Sequence, residues 1–445
     1  MAAPVAGTIC RVLPTAPSAD TLLRLHAAWP ARYPVLLDSA ATGTPQGRWS
    51  ILMALPGERL SCQSDGQGFL DELDAWCARE GRVARPADVP FAGGWFIYLA
   101  YELAQAIEPS LRLPMQAGAP LAIAWRMHGA ILLDHQTGLA YAVAEDGHER
   151  GIPDMLADLD RDLPSLPAPP VAIAIDEDEP ARFIEACRRA QQHIAAGDVY
   201  QANLARSWRV LLPKGASKAA LYARLRGSNP GPFAGIAELG QLAILSSSPE
   251  RLVRLADGRL DTRPIAGTRP RLPSGDAEAI AALLAHPKER AEHVMLIDLE
   301  RSDLGRIARP GSVHVDEFMA IESYAHVHHI VSNVTAQLRD GITPAAVIRA
   351  LFPGGTITGC PKVRCMALIA ELEGAPRGAY TGSMGYIGRD GSLDLNILIR
   401  TLAVTGDFAT LHAGAGIVAD SIPARELEET RAKARGVLRA FEVAA

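Results

Sequence analysis

The chain has 445 residues, of which 48% are hydrophobic and 21% are charged, and its formal net charge is −6. These fractions are typical of a folded globular protein and exclude a wholly disordered chain, which would be poor in apolar residues. Because the chain has no basic excess, nucleic-acid binding driven by bulk charge is not expected.

The N-terminal region, residues 1–163, mixes short apolar runs with turn residues. Strands or buried segments are predicted at Val35–Asp38, Trp49–Leu55 and Phe91–Ala100, with a hairpin at Ala130–Val143. Apolar residues at helical spacing predict helices at Phe69–Arg79 and Tyr98–Gln105. The segment Leu163–Pro170 contains four prolines, which predicts a semi-rigid linker or an extended crossing segment.

The second region, residues 172–445, carries denser signals. Helices are predicted from about residue 180 to Gly197 and at Asp276–Ala285, Lys288–Leu304, Pro344–Leu351, Pro361–Leu372 and Pro423–Val443. Strands are predicted at Val199–Val210, Leu242–Leu255, Arg259–Ile265, Ser383–Ile387, Ser392–Val404 and Phe408–Val418. Because these strands come in hairpins, the pattern favours an α+β fold with antiparallel sheets over a doubly wound fold.

The six cysteines are scattered without a CxxC pair, which disfavours a zinc site, a thioredoxin-type motif and a disulfide scaffold. The first residues do not combine a basic segment with a long apolar run, so no signal peptide is predicted. No run of about 18 apolar residues predicts a transmembrane helix. We therefore expect a cytoplasmic protein that binds neither membranes nor nucleic acids.

Two predicted helices carry paired acidic residues. Glu426, Glu429 and Lys433 fall on one narrow face of the terminal helix, and Glu289 and Glu292 share a face of an earlier helix. Carboxylates from two helices suit a divalent cation held near an anionic substrate. Taken one helix at a time, a solvated charged face is the simpler interpretation, since acids favour a first helical turn and Glu–Lys pairs form at i,i+4.

Two glycine-rich segments and a histidine cluster stand out as well. The segments are FPGGTITG at 352–359 and AGAGI at 413–417, where backbone amides can bind anions, although ordinary turns explain them equally well. Neither segment matches a P-loop or a dinucleotide-binding GxGxxG motif. The histidines, His326, His328 and His329, suggest a catalytic or structural role rather than a zinc site. Together with the acids, these features fit magnesium-assisted chemistry on a small carboxylate substrate.

Ordered sequence blocks extend these features over the region from Phe183 to Leu438. They are GDVYQANL at 197–204, SSSPE at 246–250, TRPIAGT at 262–268, the acidic helix at 289–306, HIVS at 329–332, and the segments 352–366, 377–386, 399–401 and 414–430. In these blocks the chain resembles the chorismate-utilising enzymes, whereas the N-terminal region fits that family more loosely. The resemblance implies two large antiparallel β-sheets packed face to face with helices outside, and a region 1–163 intertwined with a catalytic domain at 172–445.

The resemblance also implies roles for individual residues. Glu292 and Glu429 would ligate one magnesium ion, with Glu289 and Glu426 beside them, so that the ion holds the ring carboxylate of chorismate. Glu250 would be the general acid that protonates the departing ring hydroxyl, and His329 would lie beside the ring. The remaining implied substrate-binding residues are Gly267, Thr268, Thr356, Tyr380, Arg400, Gly414, Ala415, Gly416 and Lys433.

Gln201 and Ala266 bear on which member of the family the chain resembles. Isochorismate and salicylate synthases carry a lysine base where this chain has Gln201, so activation of water is not expected here. The FPGGTITG segment and the absence of an LLES sequence at 36–39 resemble the aminodeoxychorismate synthases. Ala266, in contrast, stands where many of those enzymes have a nucleophilic lysine and where anthranilate synthases have alanine.

We therefore expect amination of chorismate at carbon 4, with the anthranilate-forming reaction as the alternative. No GxCxG elbow of an amidotransferase is present, so a separate glutamine amidotransferase subunit is expected to supply the ammonia. A non-catalytic binding protein on the same fold is disfavoured because Glu250, Glu292, Arg400 and Glu429 are all present.

Overall fold

The computed structural model of the protein describes residues 7–42, 44, 46–63, 65–271, 276–323 and 327–441, without the side chains at 268–270, 279, 288 and 327. The helices are α1 (Ala19–Ala28), α2 (Phe69–Glu80), α3 (Ala104–Ile107), α4 (Gly151–Leu159), α5 (Pro180–Ala195), α6 (Lys218–Ser228), α7 (Asp276–Ala285), α8 (Pro287–Gly305), α9 (Pro344–Leu351), α10 (Lys362–Glu373) and α11 (Pro423–Leu438). None of the helices in this part of the chain combines the length and the apolar character that crossing a membrane requires.

The strands follow the chain in two groups. Those of the N-terminal half are β1 (Thr8–Val12), β2 (Val35–Asp38), β3 (Trp49–Cys62), β4 (Gly94–Leu99), β5 (Ala122–Asp134), β6 (Ala140–Glu145), β7 (Ala174–Glu177), β8 (Gln201–Leu211) and β9 (Phe233–Glu238). Those of the C-terminal half are β10 (Leu242–Ser248), β11 (Arg251–Ala256), β12 (Arg259–Thr262), β13 (Ile265–Pro270), β14 (His314–Ser323), β15 (Val327–Gln337), β16 (Gly359–Cys360), β17 (Ser383–Gly388), β18 (Leu393–Asn396), β19 (Thr401–Thr405) and β20 (Phe408–Ile417).

All of these strands pair antiparallel in one continuous sheet that has two arms. The arms meet at the long strand β5, which pairs with β3 on one edge and with β4 and β6 on the other. The first arm continues from β3 through β2, β9, β10, β19 and β20 to β8. The second arm continues from β4 through β17, β18, β11 and β12 to β15, which also pairs with β13 and β14.

Apolar side chains pack the two arms against each other and cover them with helices. One core cluster joins Val35 and Ile244 of the first arm to Phe96 and Met384 of the second. A second cluster packs α1, α4, α6 and α11 on the first arm, and a third packs α2, α8 and α9 on the second arm. The predicted α+β class, with face-to-face antiparallel layers and helices outside, is therefore confirmed, but β5 joins the two predicted sheets into one.

The predicted domain boundaries, 1–163 and 172–445, stay a prediction. Strands of the two regions do pair with each other, since β2 pairs with β9 and β4 pairs with β17. The proline-rich segment at 163–170 forms neither helix nor strand, in agreement with its sequence. The terminal helix ends at Leu438 rather than near Val443, which lies outside the described residues.

Two of the strands predicted as continuous are interrupted at positions that matter for the site. The predicted strand Leu242–Leu255 breaks between β10 and β11, where Pro249 has no backbone N–H to donate to a neighbouring strand. The predicted strand Ser392–Val404 breaks between β18 and β19, where Arg400 has a positive φ of 51°. Glu250 and Arg400 thus lie at breaks in the sheet, where their side chains need not follow the alternation of a strand.

Candidate active site

A cavity of about 780 Å³ lies where the far ends of the two arms approach each other, and α8 and α11 flank it. The first arm contributes residues of β8 and β20, and the second contributes residues of β13 and β15. The predicted site residues that line this cavity are Gln201, Glu250, Ala266, Gly267, Glu289, Glu292, His329, Thr356, Tyr380, Arg400, Gly414, Gly416, Glu426, Glu429 and Lys433.

Two predicted site residues contribute no described side chain to the cavity. The backbone of Thr268 pairs with His329 between β13 and β15, but its side chain lies outside the described residues. Ala415 is fully buried on the opposite face of β20, in a cluster with Leu204 and Ile369. Its side chain turns away because successive residues of a strand point to opposite faces, so only its backbone can contribute to the site.

Glu250 is a buried carboxyl poised to give up a proton near neutral pH. Its side chain follows the break after β10 and is only 6% exposed. Burial raises the pKa of Glu250 to about 7, and the hydrogen bond from Thr356 and the charge of Arg400 oppose that rise. The Thr356 hydroxyl donates to Glu250 Oε1 at 2.6 Å. The geometry therefore suits a general acid that is partly protonated at physiological pH.

Four glutamates of α8 and α11 line one side of the cavity. Burial raises the pKa of Glu292, and the charges of Glu289 and Glu429 raise it further. Glu429 pairs with Lys433 at 2.7 Å, and Lys433 also donates to the carbonyl of Gly414 at 3.0 Å. Within the described ranges, no three Asp, Glu, His or Cys side chains converge as a formed metal site does.

The donor set nevertheless fits a magnesium ion. Mg²⁺ prefers carboxylate oxygens and usually binds proteins through only one or two of them, keeping several waters. Glu292 is half-buried beside the like charges of Glu289 and Glu429, so a cation bound there would reduce the repulsion between these carboxylates. Glu292 and Glu429 are the residues that would hold the ion, with Glu289 and Glu426 beside them.

His329 is held as a neutral ring at the wall formed by the second arm. Its Nδ1 donates to the carbonyl of Gly267 at 3.1 Å, and this bond leaves the lone pair of the ring on Nε2. Burial and the charge of Arg400 lower the pKa of His329 to about 4. Gly267 lies at a bulge of β13 with a φ of 62°, which places Ala266 and Gly267 on the cavity wall.

Glycines of β20 make room for the polar side chains of β8. A Cβ at Gly416 would lie 2.2 Å from Gln201 Nε2, and a Cβ at Gly414 would lie 2.8 Å from both Asn203 Oδ1 and Tyr380 Oη. In the register of β8 and β20, Gly416 pairs with Asn203, so the Gly-x-Gly pair of AGAGI lies beside the Gln-x-Asn pair of QANL with an offset of two residues. Asn203 was not among the predicted site residues, although the alternation shared by QANL and AGAGI was a signal that could have identified it.

Replacing Gly416 by alanine should therefore disturb the site without unfolding the protein. The new Cβ would displace the Gln201 amide from its hydrogen bond to Glu292 Oε1, which measures 3.2 Å. We expect kcat to fall by about 10-fold or more, as a displacement of roughly 1 Å at a site can cost a factor of 100. Steady-state kinetics with chorismate and ammonium would measure this effect.

Gly436→Ala is the matched control for that substitution. Gly436 also lines the cavity, but a Cβ there would have its nearest neighbours at 3.8 Å and 3.9 Å, both in Asn229. Because alanine favours a helix, this variant should fold at least as stably as the parent chain and keep its kcat. Equal losses of activity in Gly416→Ala and Gly436→Ala would contradict the steric argument.

Sheet, helices and charges together define an enzyme site for a small anionic substrate. A buried carboxyl of near-neutral pKa, Glu250, shares the cavity with the cations Arg400 and Lys433 and with the glutamates of α8 and α11. Lys433 lies beside Glu429 on α11, and Arg400 lies at the break before β19, so the cavity can hold a divalent cation and substrate carboxylates at the same time.

The chain belongs to the family of chorismate binding enzymes, whose sequence pattern matches residues 36–439. It is 42% identical to the "Anthranilate synthase component I-like protein" of Synechocystis sp. over 92% of this chain and 86% of that protein. It is 50% identical to "Aminodeoxychorismate synthase component 1" of Bacillus subtilis over 59% of this chain and 56% of that protein. The solved structure of anthranilate synthase component I from Streptococcus pneumoniae shares the fold, with a TM-score of 0.80 and 28% identity over 89% of this chain and 93% of that one. The protein is thus a chorismate-utilising enzyme. Its relatives include proteins named anthranilate synthase component I and proteins named aminodeoxychorismate synthase.

Proposed function

We propose that the protein is an aminodeoxychorismate synthase component I, which converts chorismate and ammonia into 4-amino-4-deoxychorismate for 4-aminobenzoate and folate synthesis. The observation that carries the amination is that Glu250 and Gln201 line the same cavity. Glu250 can protonate a departing hydroxyl, whereas the Gln201 amide cannot deprotonate water. Ammonia needs no such base, because its lone pair is already nucleophilic.

Different residues would bind the substrate, hold the metal and transfer the proton in this reaction. Arg400 and Lys433 hold a substrate carboxylate, and magnesium bound by Glu292 and Glu429 would neutralise the ring carboxylate and fix its orientation. Glu250 gives its proton to the ring hydroxyl, which leaves as water. A transient nucleophile, water or a second ammonia, bonds to ring carbon 2 and loses a proton as the hydroxyl leaves carbon 4. Ammonia then bonds to carbon 4, and the transient nucleophile leaves carbon 2 and regains its proton. The proton that the new C–N group gives up restores the Glu250 carboxyl, so that chorismate plus ammonia yields 4-amino-4-deoxychorismate plus water.

Ala266 favours a second candidate, anthranilate synthase component I. Its methyl side chain lines the cavity but cannot form the covalent adduct that a lysine would form at ring carbon 2. In the alternative reaction ammonia bonds directly to that carbon, and loss of water and pyruvate then gives anthranilate. Amination at carbon 4 would instead need water or ammonia as the transient nucleophile at carbon 2.

Identifying the product distinguishes the two reactions. The protein is incubated with chorismate, magnesium and ammonium, and a 4-amino-4-deoxychorismate lyase is then added. 4-Aminobenzoate formed only after the lyase supports the proposal, whereas fluorescent anthranilate formed without the lyase supports the alternative. Consumption of chorismate without ammonium would contradict both reactions.

Introducing a lysine at position 266 is an independent test of the proposal. If Ala266 is a silent variant of a lysine-dependent route, Ala266→Lys should raise the rate of 4-amination at saturating ammonium. Product ratios from the parent chain and the variant, measured by chromatography, check this expectation. A shift toward anthranilate in Ala266→Lys would contradict it.

We also propose a separate glutamine amidotransferase subunit as the source of ammonia. The names of the relatives, "component I" and "component 1", support this partner. The pure chain should use ammonium but not glutamine. Production of aminated product from glutamine by the pure chain would overturn this part of the proposal.

A further inference from the structure

Two amide side chains of β8 reach the same cavity wall. Gln201 and Asn203 are two residues apart on one strand, so their side chains lie on the same face, and both line the cavity. Asn203 Nδ2 donates to the carbonyl of Thr356 at 3.3 Å, as Gln201 Nε2 donates to Glu292. Because both partners are oxygen acceptors, these bonds define which end of each amide is the oxygen.

The two amide oxygens are left as buried acceptors. Among the described residues, Gln201 Oε1 and Asn203 Oδ1 are both buried and accept no hydrogen bond. On the neighbouring strand β20, Gly416 pairs with Asn203 and Gly414 lies two residues away, and neither glycine has a side chain with which to donate. Since buried acceptors without a donor are costly, a pair of them on a cavity wall indicates a ligand that carries N–H or O–H groups.

We propose that Asn203, together with Gln201, binds the ammonia that attacks chorismate, an inference that rests on the proposed amination. Ammonia has three N–H donors and one lone pair. Hydrogen bonds to the two amide oxygens would leave the lone pair directed elsewhere, toward the substrate. Neutral amide acceptors suit this task better than carboxylates, because a carboxylate stabilises the ammonium ion, which has no lone pair and cannot attack.

Asn203→Ala tests the inference through the ammonium dependence of the rate. Loss of one hydrogen bond should raise the KM for ammonium by about 10-fold, while the KM for chorismate and the melting temperature stay within about 2-fold and 2 °C of the parent values. Asn333→Ala is the matched control, since Asn333 of β15 donates to Asp316 of β14 at 2.8 Å and does not line the cavity. The control should leave both KM values unchanged.

Three outcomes would overturn the inference. An unchanged KM for ammonium would show that Asn203 does not hold the nucleophile, and an equal rise in both KM values would assign Asn203 to chorismate binding. If Asn203→Ala does not fold, Asn203→Ser provides the same test with a shorter polar side chain, and a KM for ammonium equal to that of the parent overturns the inference. Absence of any aminated product from the parent chain would instead refute the proposed function.

Discussion

Glu250→Gln is expected to lower kcat by about 1000-fold, because general acid catalysis typically contributes a factor of 10² to 10⁴. Glutamine keeps the size of the side chain and can still accept the 2.6 Å hydrogen bond from Thr356. It has no proton to transfer, however, so the ring hydroxyl would have to leave as hydroxide. Stopped assays of chorismate consumption at saturating ammonium and magnesium would measure the loss.

The pH dependence of kcat gives a second test of Glu250 as the general acid. Because burial raises the pKa of Glu250 to about 7, the protonated form is lost as the pH rises through that value. The kcat of the parent chain should therefore fall above about pH 7, and this limb should be absent from the residual activity of Glu250→Gln. If the kcat of Glu250→Gln still fell above about pH 7, that fall would have to be assigned to another group.

The pH dependence of the free energy of unfolding distinguishes a catalytic role of Glu250 from a structural one. The pKa of Glu250 lies near its ordinary value of 4.5 in the unfolded chain and at about 7 in the folded one. The parent chain thus loses stability as the pH rises from about 5 to 7, because the folded state must ionise a buried carboxyl. Glu250→Gln should remove that loss, so its melting temperature at pH 8 should not fall below that of the parent.

Glu238→Gln provides a control for removal of a carboxylate. Glu238 ends β9 and pairs with Lys218 at 3.2 Å, and it does not line the cavity. A partly exposed pair of this kind contributes little to stability, so neither kcat nor its pH profile should change. A comparable loss of activity in this control would undermine the assignment of Glu250.

Glu292→Gln is expected to weaken magnesium binding by about 100-fold or more, since even residues that only support metal ligands contribute 10- to 100-fold. Glutamine retains one carbonyl oxygen but removes the negative charge that would balance the ion. In the parent chain, Gln201 Nε2 donates to Glu292 Oε1 at 3.2 Å, and the substitution changes this acceptor. Titration of the metal by calorimetry, or of Mn²⁺ by electron paramagnetic resonance, measures affinity without turnover.

A carboxylate elsewhere on α8 serves as the control for this substitution. Asp298 is exposed and pairs with Arg301 at 2.8 Å, away from the cavity. Asp298→Asn should bind the metal as the parent does. Unchanged metal affinity in Glu292→Gln would contradict the proposed magnesium site, whereas a loss of affinity in both variants would indicate a nonspecific effect of charge.

Helix faces were the part of the site that local spacing could predict. Glu289 with Glu292, and Glu426 with Glu429 and Lys433, lie on α8 and α11, and each of these side chains lines the cavity. Helical geometry repeats every 3.6 residues, so the sharing of a face depends only on residues within two turns. The spacing did not show that the two helices flank the same cavity.

Residues at breaks in the sheet were harder to predict. Glu250 and Arg400 fall within runs that the alternation pattern predicted as single strands, Leu242–Leu255 and Ser392–Val404. Their placement depends on the interruptions at 249–250 and 397–400. The first interruption follows β10 and the second precedes β19, and these two strands pair directly with each other. Motif resemblance, rather than periodicity, identified both residues as site residues.

By itself the sequence determined the α+β class, the family and the residue types of the site, because periodicity and motifs are local properties of the chain. Tertiary structure alone decided that β5 joins both layers, that Ala415 turns away from the cavity, and that Asn203 and Gln201 keep buried acceptor oxygens there. These features depend on pairings between residues far apart in the chain, such as β8 with β20 and β13 with β15. Local spacing cannot encode such pairings, because they are selected by the packing of the whole sheet.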